Sequence, residues 1–138
     1  IFCRCVGGYL DSVYDMANKL SDVKDKANQA LSEYNDQNTR MDLVLFDDAV
    51  KHVCRITRII TQPSGHSMLV GVGGSGKQSL SKLSSFICQY NNYMITISSD
   101  YRLNSFKEDL QKMYNITGMS DDAGLLFILT ENQKLHLQ

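Results

Sequence analysis

The chain has 138 residues, of which 43% are hydrophobic and 21% are charged, and its formal net charge at pH 7 is −1. This composition is typical of a globular domain and excludes wholesale disorder. The near-neutral charge offers no clustered lysine and arginine with which to displace counterions from nucleic acid. No apolar run approaches the roughly 18–20 residues that span a bilayer. We therefore expect neither a nucleic-acid partner nor a membrane.

Two helices are predicted in the first part of the chain. Apolar residues from Asp15 to Tyr34 recur at alternating steps of three and four, which places them on one helical face. Turn-favouring residues from Asn35 to Asn38 end that helix. A second helix is predicted from Asp47 to Ile60, with two aspartates in its first turn, where carboxylates interact favourably with the helix dipole.

Beyond a turn signal at Gln62 to Gly65, apolar strand patterns alternate with helical spacing. Ser67 to Val70 is a short apolar run that is typical of a buried parallel strand, and two more strands are predicted, from Tyr93 to Ser98 and from Leu125 to Leu129. Helical patterns lie between these runs. The order strand, helix, strand, helix, strand predicts an α/β fold with a parallel sheet.

A glycine-rich segment joins the first predicted strand to the helix that follows. Residues 71–77 read Gly-Val-Gly-Gly-Ser-Gly-Lys and match G-x-x-x-x-G-K, the P-loop motif that binds phosphates. Glycines let successive N–H groups turn toward an anion, and the start of the helix adds the positive end of its dipole. We expect ATP or ADP as the ligand. The predicted nucleotide-binding residues are Gly71, Val72, Gly73, Gly74, Ser75, Gly76, Lys77, Gln78 and Ser79.

The same glycines also fit G-x-G-x-x-G, the dinucleotide-binding fingerprint. Under that interpretation Asp100, at the end of the second predicted strand, would bind the ribose. Lys77 directly after the last glycine favours the P-loop, because a lysine there serves a triphosphate and has no role in the fingerprint. A dinucleotide-binding Rossmann domain stays open as an alternative.

Two positions that normally support Mg²⁺ depart from the usual P-loop pattern. The residue after the lysine is ordinarily Ser or Thr, but here it is Gln78, and the hydroxyl comes one residue later. In many ATPases a second apolar strand, the Walker B strand, ends in an aspartate that holds Mg²⁺ and a glutamate that orients water. Here the third predicted strand ends in Thr130 and Glu131. Glu131 is the candidate catalytic residue, and Gln78 and Thr130 are weak candidate ligands for Mg²⁺. We expect nucleotide binding with slow or no hydrolysis.

Three stretches closely resemble the fourth AAA+ module of dynein heavy chains of the axonemal type. They are residues 41–49 (MDLVLFDDA), 52–56 (HVCRI) and 69–80 (LVGVGGSGKQSL). Residues 30–35 and 127–131 are similar to the entry and the Walker B strand of that module. The resemblance implies an AAA+ P-loop NTPase fold, a parallel sheet with flanking helices that is incomplete here. Residues 1–40 would be a helical linker, and residues 41–138 the N-terminal part of the nucleotide-binding domain.

The resemblance also implies a setting and partners. The module would be one regulatory part of a six-module ring in a single chain that drives minus-end-directed movement on microtubules. Its partners would be the other AAA+ modules, dynein intermediate and light chains, and microtubules, in the cytoskeletal axoneme of a cilium or flagellum. A catalytically active P-loop ATPase module is the alternative. Because the chain begins with Ile1 and ends at Gln138, just after an apolar run, we expect a fragment of a longer protein.

Overall fold

The structure is a computed structural model that describes residues 2–3, 15–16, 19–119, 124–130 and 133. The chain divides into two compact units, residues 1–88 and residues 89–138. Among the described residues, no helix has the length and apolar character that crossing a membrane requires. The elements in chain order are β1 (Phe2–Cys3), β2 (Asp15–Met16), α1 (Leu20–Gln37), α2 (Asp47–Ile60), α3 (Lys77–Ile87), β3 (Asn91–Tyr93), α4 (Leu103–Met119) and β4 (Leu125–Phe127).

Three helices form the core of the first unit. Each of α1, α2 and α3 contacts the other two, because each carries an apolar stripe that must be buried. Tyr34 of α1 and Phe86 of α3 meet edge to face, with ring centroids 5.4 Å apart. Helices of this length gain most of their stability from such packing rather than from intrinsic propensity. The most deeply buried apolar side chains of this core are Val23, Ala27, Ala49, Val50, Val53, Ile56 and Leu83.

The contact between α2 and α3 also buries small polar side chains. Thr57 and Ser84 are fully buried. The Thr57 hydroxyl donates to the Cys54 carbonyl at 3.0 Å, and the Ser84 hydroxyl donates to the Leu80 carbonyl at 2.7 Å. Because each hydroxyl is satisfied within its own helix, neither leaves an unpaired polar group in the interface. The small side chains therefore suit a close contact between the two helices.

The second helix has the predicted bounds, but neither end of the first helix does, because residues 35–37, predicted as the turn that ends it, belong to α1. Asp15–Met16 forms β2, antiparallel to β1 with Met16 opposite Phe2, and α1 begins only at Leu20. The prediction that the helix starts at Asp15 is therefore wrong. The pairing of two strands is a contact between residues distant in the chain, and a local apolar period cannot predict it.

The predicted buried strand from Ser67 to Val70 is also wrong. This segment is irregular, and the side chains of Met68 and Val70 are 87% and 85% exposed. A strand requires a neighbour that pairs its N–H and C=O groups, and no described segment pairs with this one. The described part of the chain therefore holds two two-stranded sheets instead of the three-stranded parallel sheet that the alternation predicts.

The second unit contains a short parallel sheet beside α4. In the pairing of β3 with β4, Asn91 lies opposite Leu125 and Tyr93 lies opposite Phe127. The predicted parallel relation of the second and third strands is confirmed, although both strands are shorter than predicted and only Tyr93 of the range 93–98 is in a strand. Met113 is the buried residue of α4.

Candidate nucleotide-binding site

A tight turn directs the chain from the end of α2 toward the glycine-rich segment. In this turn the Gly65 N–H donates to the Gln62 carbonyl at 3.0 Å. A Cβ atom at Gly65 would overlap the Ile59 carbonyl oxygen and would lie 2.9 Å from the Gln62 carbonyl oxygen. Only glycine fits this turn without displacing backbone, so the path by which the chain leaves α2 depends on it.

Glycines in the left-handed region shape the segment from Gly71 to Gly76. Gly74 has φ of 74° and Gly76 has φ of 75°, which side chains with a Cβ rarely adopt. Gly76 directly precedes α3, and its conformation turns the chain into the helix that begins at Lys77. The Ser75 N–H donates to the Val72 carbonyl at 3.4 Å and closes the loop. Residues 71–75 are exposed, so a ligand can reach their backbone.

The Lys77 ammonium group is bonded to the loop that precedes it. It donates to the carbonyl oxygens of Gly71 and Val72, both at 2.7 Å, and to the Ser75 hydroxyl at 3.2 Å. Hydrogen bonds from a charged donor are about twice as strong as neutral ones. Lys77 therefore stabilises the loop and holds a positive charge beside its N–H groups.

The N-terminus of α3 completes this anion-binding arrangement. No side chain caps it, and its first N–H groups carry the positive end of the helix dipole. Gln78 is exposed and Ser79 is half-buried in the first turn. The nine predicted nucleotide-binding residues thus lie on one loop and the first turn of one helix, which is the geometry that binds phosphate at a helix N-terminus.

The remaining site candidates belong to the second unit. Thr130 follows β4 and is half-buried, and Asp100 is exposed in a turn. Glu131, the candidate catalytic residue, lies outside the described residues. Sequence reasoning did not single out Gln133, which is only 9% exposed and accepts a hydrogen bond from the Thr130 N–H at 2.7 Å. A glutamine three residues after a threonine is too common a pattern to have signalled this contact.

The described residues do not fit a magnesium site held by the protein. Among residues 19–119, 124–130 and 133, no group of three or more His, Cys, Asp or Glu side chains could hold a metal ion. Gln78 and Thr130 offer only neutral oxygens, whereas Mg²⁺ in nucleotide sites is bound by carboxylates, phosphates and water.

A second polar cluster, also missed from the sequence, lies beside a cavity of about 380 Å³ in the second unit. The Asp109 carboxylate accepts from the hydroxyls of Tyr93 at 2.8 Å and Tyr101 at 2.7 Å, and it pairs with Lys112 at 3.4 Å. These contacts connect β3, the loop that follows it and α4.

Burial and hydrogen bonding act in opposite directions on this carboxylate. The Asp109 side chain is 14% exposed, and its burial alone would raise its pKa. The hydrogen bonds from Tyr101, Tyr93 and Lys112 outweigh burial and hold the pKa of Asp109 below its ordinary value. Burial and the bond to Asp109 raise the pKa of Tyr101 to about 12 and also raise the pKa of Tyr93.

A loop with glycines in the left-handed backbone region, followed by a lysine at the first position of a helix, is the arrangement expected of a P-loop protein. A family model described as the P-loop containing dynein motor region D4 matches residues 41–137. The chain belongs to this family of dynein motor regions.

Individual relatives agree with the family model. The chain is 52% identical over 133 residues to the dynein alpha chain of the flagellar outer arm of Chlamydomonas reinhardtii, a match that covers 96% of this chain and 3% of that protein. It is 50% identical over 122 residues to the dynein beta chain of the same outer arm, covering 88% of this chain and 2% of that protein. It is 44% identical over 119 residues to human dynein axonemal heavy chain 10, covering 86% of this chain and 3% of that protein. The predicted resemblance to axonemal dynein heavy chains is confirmed, and the chain spans a few per cent of their length.

Proposed function

We propose that the chain is the entry and first part of the fourth AAA+ module of an axonemal dynein heavy chain, and that it binds ATP or ADP as a regulatory site. The observation that carries this proposal is the loop of residues 71–76, in which left-handed Gly76 leads into α3 and the Lys77 ammonium is bonded to loop carbonyls. Exposed N–H groups, a helix N-terminus and a lysine charge together suit a chain of phosphates.

The proposed organisation follows the match to the family. Residues 1–40 form the linker that enters the module, and its helical part is α1, which follows the β1–β2 pair. Residues 41–138 form the N-terminal part of the nucleotide-binding domain, a boundary supported by the family match that begins at residue 41. In the proposed AAA+ P-loop NTPase fold, β3 and β4 are two strands of a larger parallel sheet with flanking helices.

Weak or absent hydrolysis is part of the proposal. Gln78 stands where P-loops usually carry a hydroxyl for Mg²⁺, and Thr130 stands where they usually carry an aspartate. Glu131 remains the candidate that would orient water. With neutral oxygens at both metal-supporting positions, the site is suited to holding a nucleotide more than to cleaving it.

The parent protein supplies the rest of the proposed function. The relatives named above are flagellar outer-arm and axonemal chains. We accordingly propose ATP-driven, minus-end-directed movement on microtubules in the axoneme of a cilium or flagellum. The proposed partners are the other AAA+ modules of the same heavy chain, dynein intermediate and light chains, and microtubules.

Nucleotide binding by a longer heavy-chain polypeptide that contains this sequence tests the proposal. Lys77→Ala should weaken binding of ATP and ADP by about tenfold or more, because charged hydrogen bonds contribute about 1.5–3 kcal/mol each. Lys82→Ala, on the same helix but outside the loop, is the matched control and should bind as the parent does. Equal affinity of the Lys77→Ala variant and the parent would contradict the proposal.

The same protein separates the two alternative functions. An active ATPase module would contribute turnover that is lost in Glu131→Gln, whereas with the proposed regulatory site the turnover of the polypeptide is the same in Glu131→Gln as in the parent. A dinucleotide-binding domain would bind NAD, and its affinity for NAD would be the same in Lys77→Ala as in the parent.

A further inference from the structure

The backbone ladder between β3 and β4 ends in an unusual way. Its regular hydrogen bonds run from the Asn91 N–H to the Gly124 carbonyl at 2.8 Å and from the Ile128 N–H to the Tyr93 carbonyl at 2.9 Å. In a parallel pair these bonds recur every two residues along each strand. On the β4 side, the next donor in this register is the Thr130 N–H, which would bond to the Ile95 carbonyl.

The side chain of Gln133 takes the place of that bond. Its Oε1 accepts from the Thr130 N–H at 2.7 Å, and its Nε2 donates to the Ile95 carbonyl. The Gln133 N–H also donates to the Thr130 carbonyl at 3.1 Å, so Gln133 and Thr130 are joined by two hydrogen bonds. Gln133 and Ile95 are 9% and 3% exposed, so the bridge is shielded from water.

The bridge requires a group that accepts at one atom and donates at another. A primary carboxamide does both, an ionised carboxylate only accepts, and a thioether does neither to a useful extent. The carboxamide therefore lies between the Thr130 N–H and the Ile95 carbonyl, which a direct ladder bond would otherwise join. These are carboxyl ends of parallel strands, the edge of an α/β sheet at which ligands bind.

We propose that Gln133 is a positioning residue for Thr130: its carboxamide replaces a ladder hydrogen bond and sets where Thr130 stands at this edge. The inference rests on the proposed function in one respect, which is that Thr130 belongs to the nucleotide site. The bridge itself uses the Thr130 N–H, so Thr130 can offer a ligand only its side chain and its remaining carbonyl capacity.

Hydrogen exchange and nucleotide binding, measured on the longer heavy-chain polypeptide, test the proposal together. Gln133→Met keeps the length of the side chain and removes both ends of the bridge. The Thr130 amide should then exchange roughly tenfold faster or more, because a buried hydrogen bond is lost. ATP affinity should fall by about two- to tenfold, the range expected when a positioned group loses one supporting hydrogen bond.

Gln133→Glu tests the bridge in a single variant, because a change of pH removes or restores its hydrogen-bond donor. Above the pKa of the new carboxyl group it cannot donate to Ile95, and the variant should behave like Gln133→Met. When the carboxyl is protonated, below the ordinary glutamate pKa of about 4.3, it both accepts and donates, and exchange and affinity should return toward those of the parent at the same pH. Gln111→Glu, at an exposed position on α4, is the matched control and should show no such recovery.

Three results would overturn the positioning role. They are unchanged Thr130 exchange in Gln133→Met, faster exchange with unchanged ATP affinity, and a Gln133→Glu variant that does not recover at low pH. If Gln133→Met does not fold, the two pH values of Gln133→Glu decide the question alone. An ATP affinity that is unchanged in Lys77→Ala would instead overturn the proposed function. Hydrogen exchange of the Thr130 amide in Gln133→Met would still decide whether the bridge exists.

Discussion

Gly65→Ala should destabilise the first unit through the turn that follows α2. The new methyl group would overlap the Ile59 carbonyl oxygen and would lie 2.9 Å from both the Ile59 carbonyl carbon and the Gln62 carbonyl oxygen. All three atoms are backbone, so no side chain can rotate away to make room. Either the last turn of α2 or the segment that leads to the glycine loop must shift.

The cost of this change follows from two terms. Forcing an extra methyl group into a packed site costs about 1–3 kcal/mol. Moving Gly65 away from Ile59 also stretches or breaks its hydrogen bond to Gln62, now 3.0 Å long, which contributes about 0.5–1.5 kcal/mol. We therefore expect a loss of about 1.5–4.5 kcal/mol of local stability, the sum of these two contributions.

Hydrogen exchange of the amides at the end of α2, read in the longer heavy-chain polypeptide, would measure this loss. Gly73→Ala is the matched control for folding, because a Cβ at Gly73 meets nothing within 4 Å. It should leave exchange at the end of α2 unchanged. If Gly65→Ala exchanged there no faster than Gly73→Ala, the steric reasoning about this turn would be refuted.

Further predictions concern the Asp109 cluster and the helix core. Ultraviolet titration should find Tyr101 ionising at about pH 12, and Asp109→Asn should lower that value only partway toward 10.0, because burial remains the larger cause. The pKa of Asp109 is lower in the folded chain, so its contribution to stability is present above its usual pKa of 3.8 and is lost as the pH falls through the lower folded-state value. In Asp109→Asn, the free energy of unfolding should therefore fall less steeply as the pH is lowered. The raised pKa of Tyr101 acts in the opposite sense, with a contribution present below pH 10.0 and lost as the pH rises through about 12. Leu83→Ala should reduce the free energy of unfolding of the first unit by about 2–5 kcal/mol in denaturant titrations, because Leu83 is fully buried; a loss below about 1 kcal/mol would contradict the assigned core.

The features that were predicted correctly depend on residues close together in the chain. The bounds of α2 follow from a local apolar period with aspartates in its first turn. The helix beginning at Lys77 follows from a motif whose glycine and lysine are adjacent. In both cases the physical cause, helical periodicity or a left-handed glycine, can be read directly from neighbouring residues.

The features that were missed depend on partners distant in the chain. Ser67 to Val70 has the composition of a strand, but composition does not supply the neighbour that a strand must pair with. The bridge from Gln133 to Ile95 depends on the register of β3 against β4, and the bonds of Asp109 depend on how α4 lies beside β3. Neither register nor helix placement can be read from one sequence, so polar groups that these contacts bring together were not predicted.

The way α3 is seated in its unit has a mechanical consequence. The helix has 11 residues and is therefore about 16 Å long. Its first residue is Lys77, and near its other end the ring of Phe86 rests against Tyr34 of α1. Leu83 and Ser84, in the middle of the helix, are fully buried and therefore tightly packed. Any shift of α3 along its axis at Lys77 would therefore also move Phe86 against Tyr34 of α1.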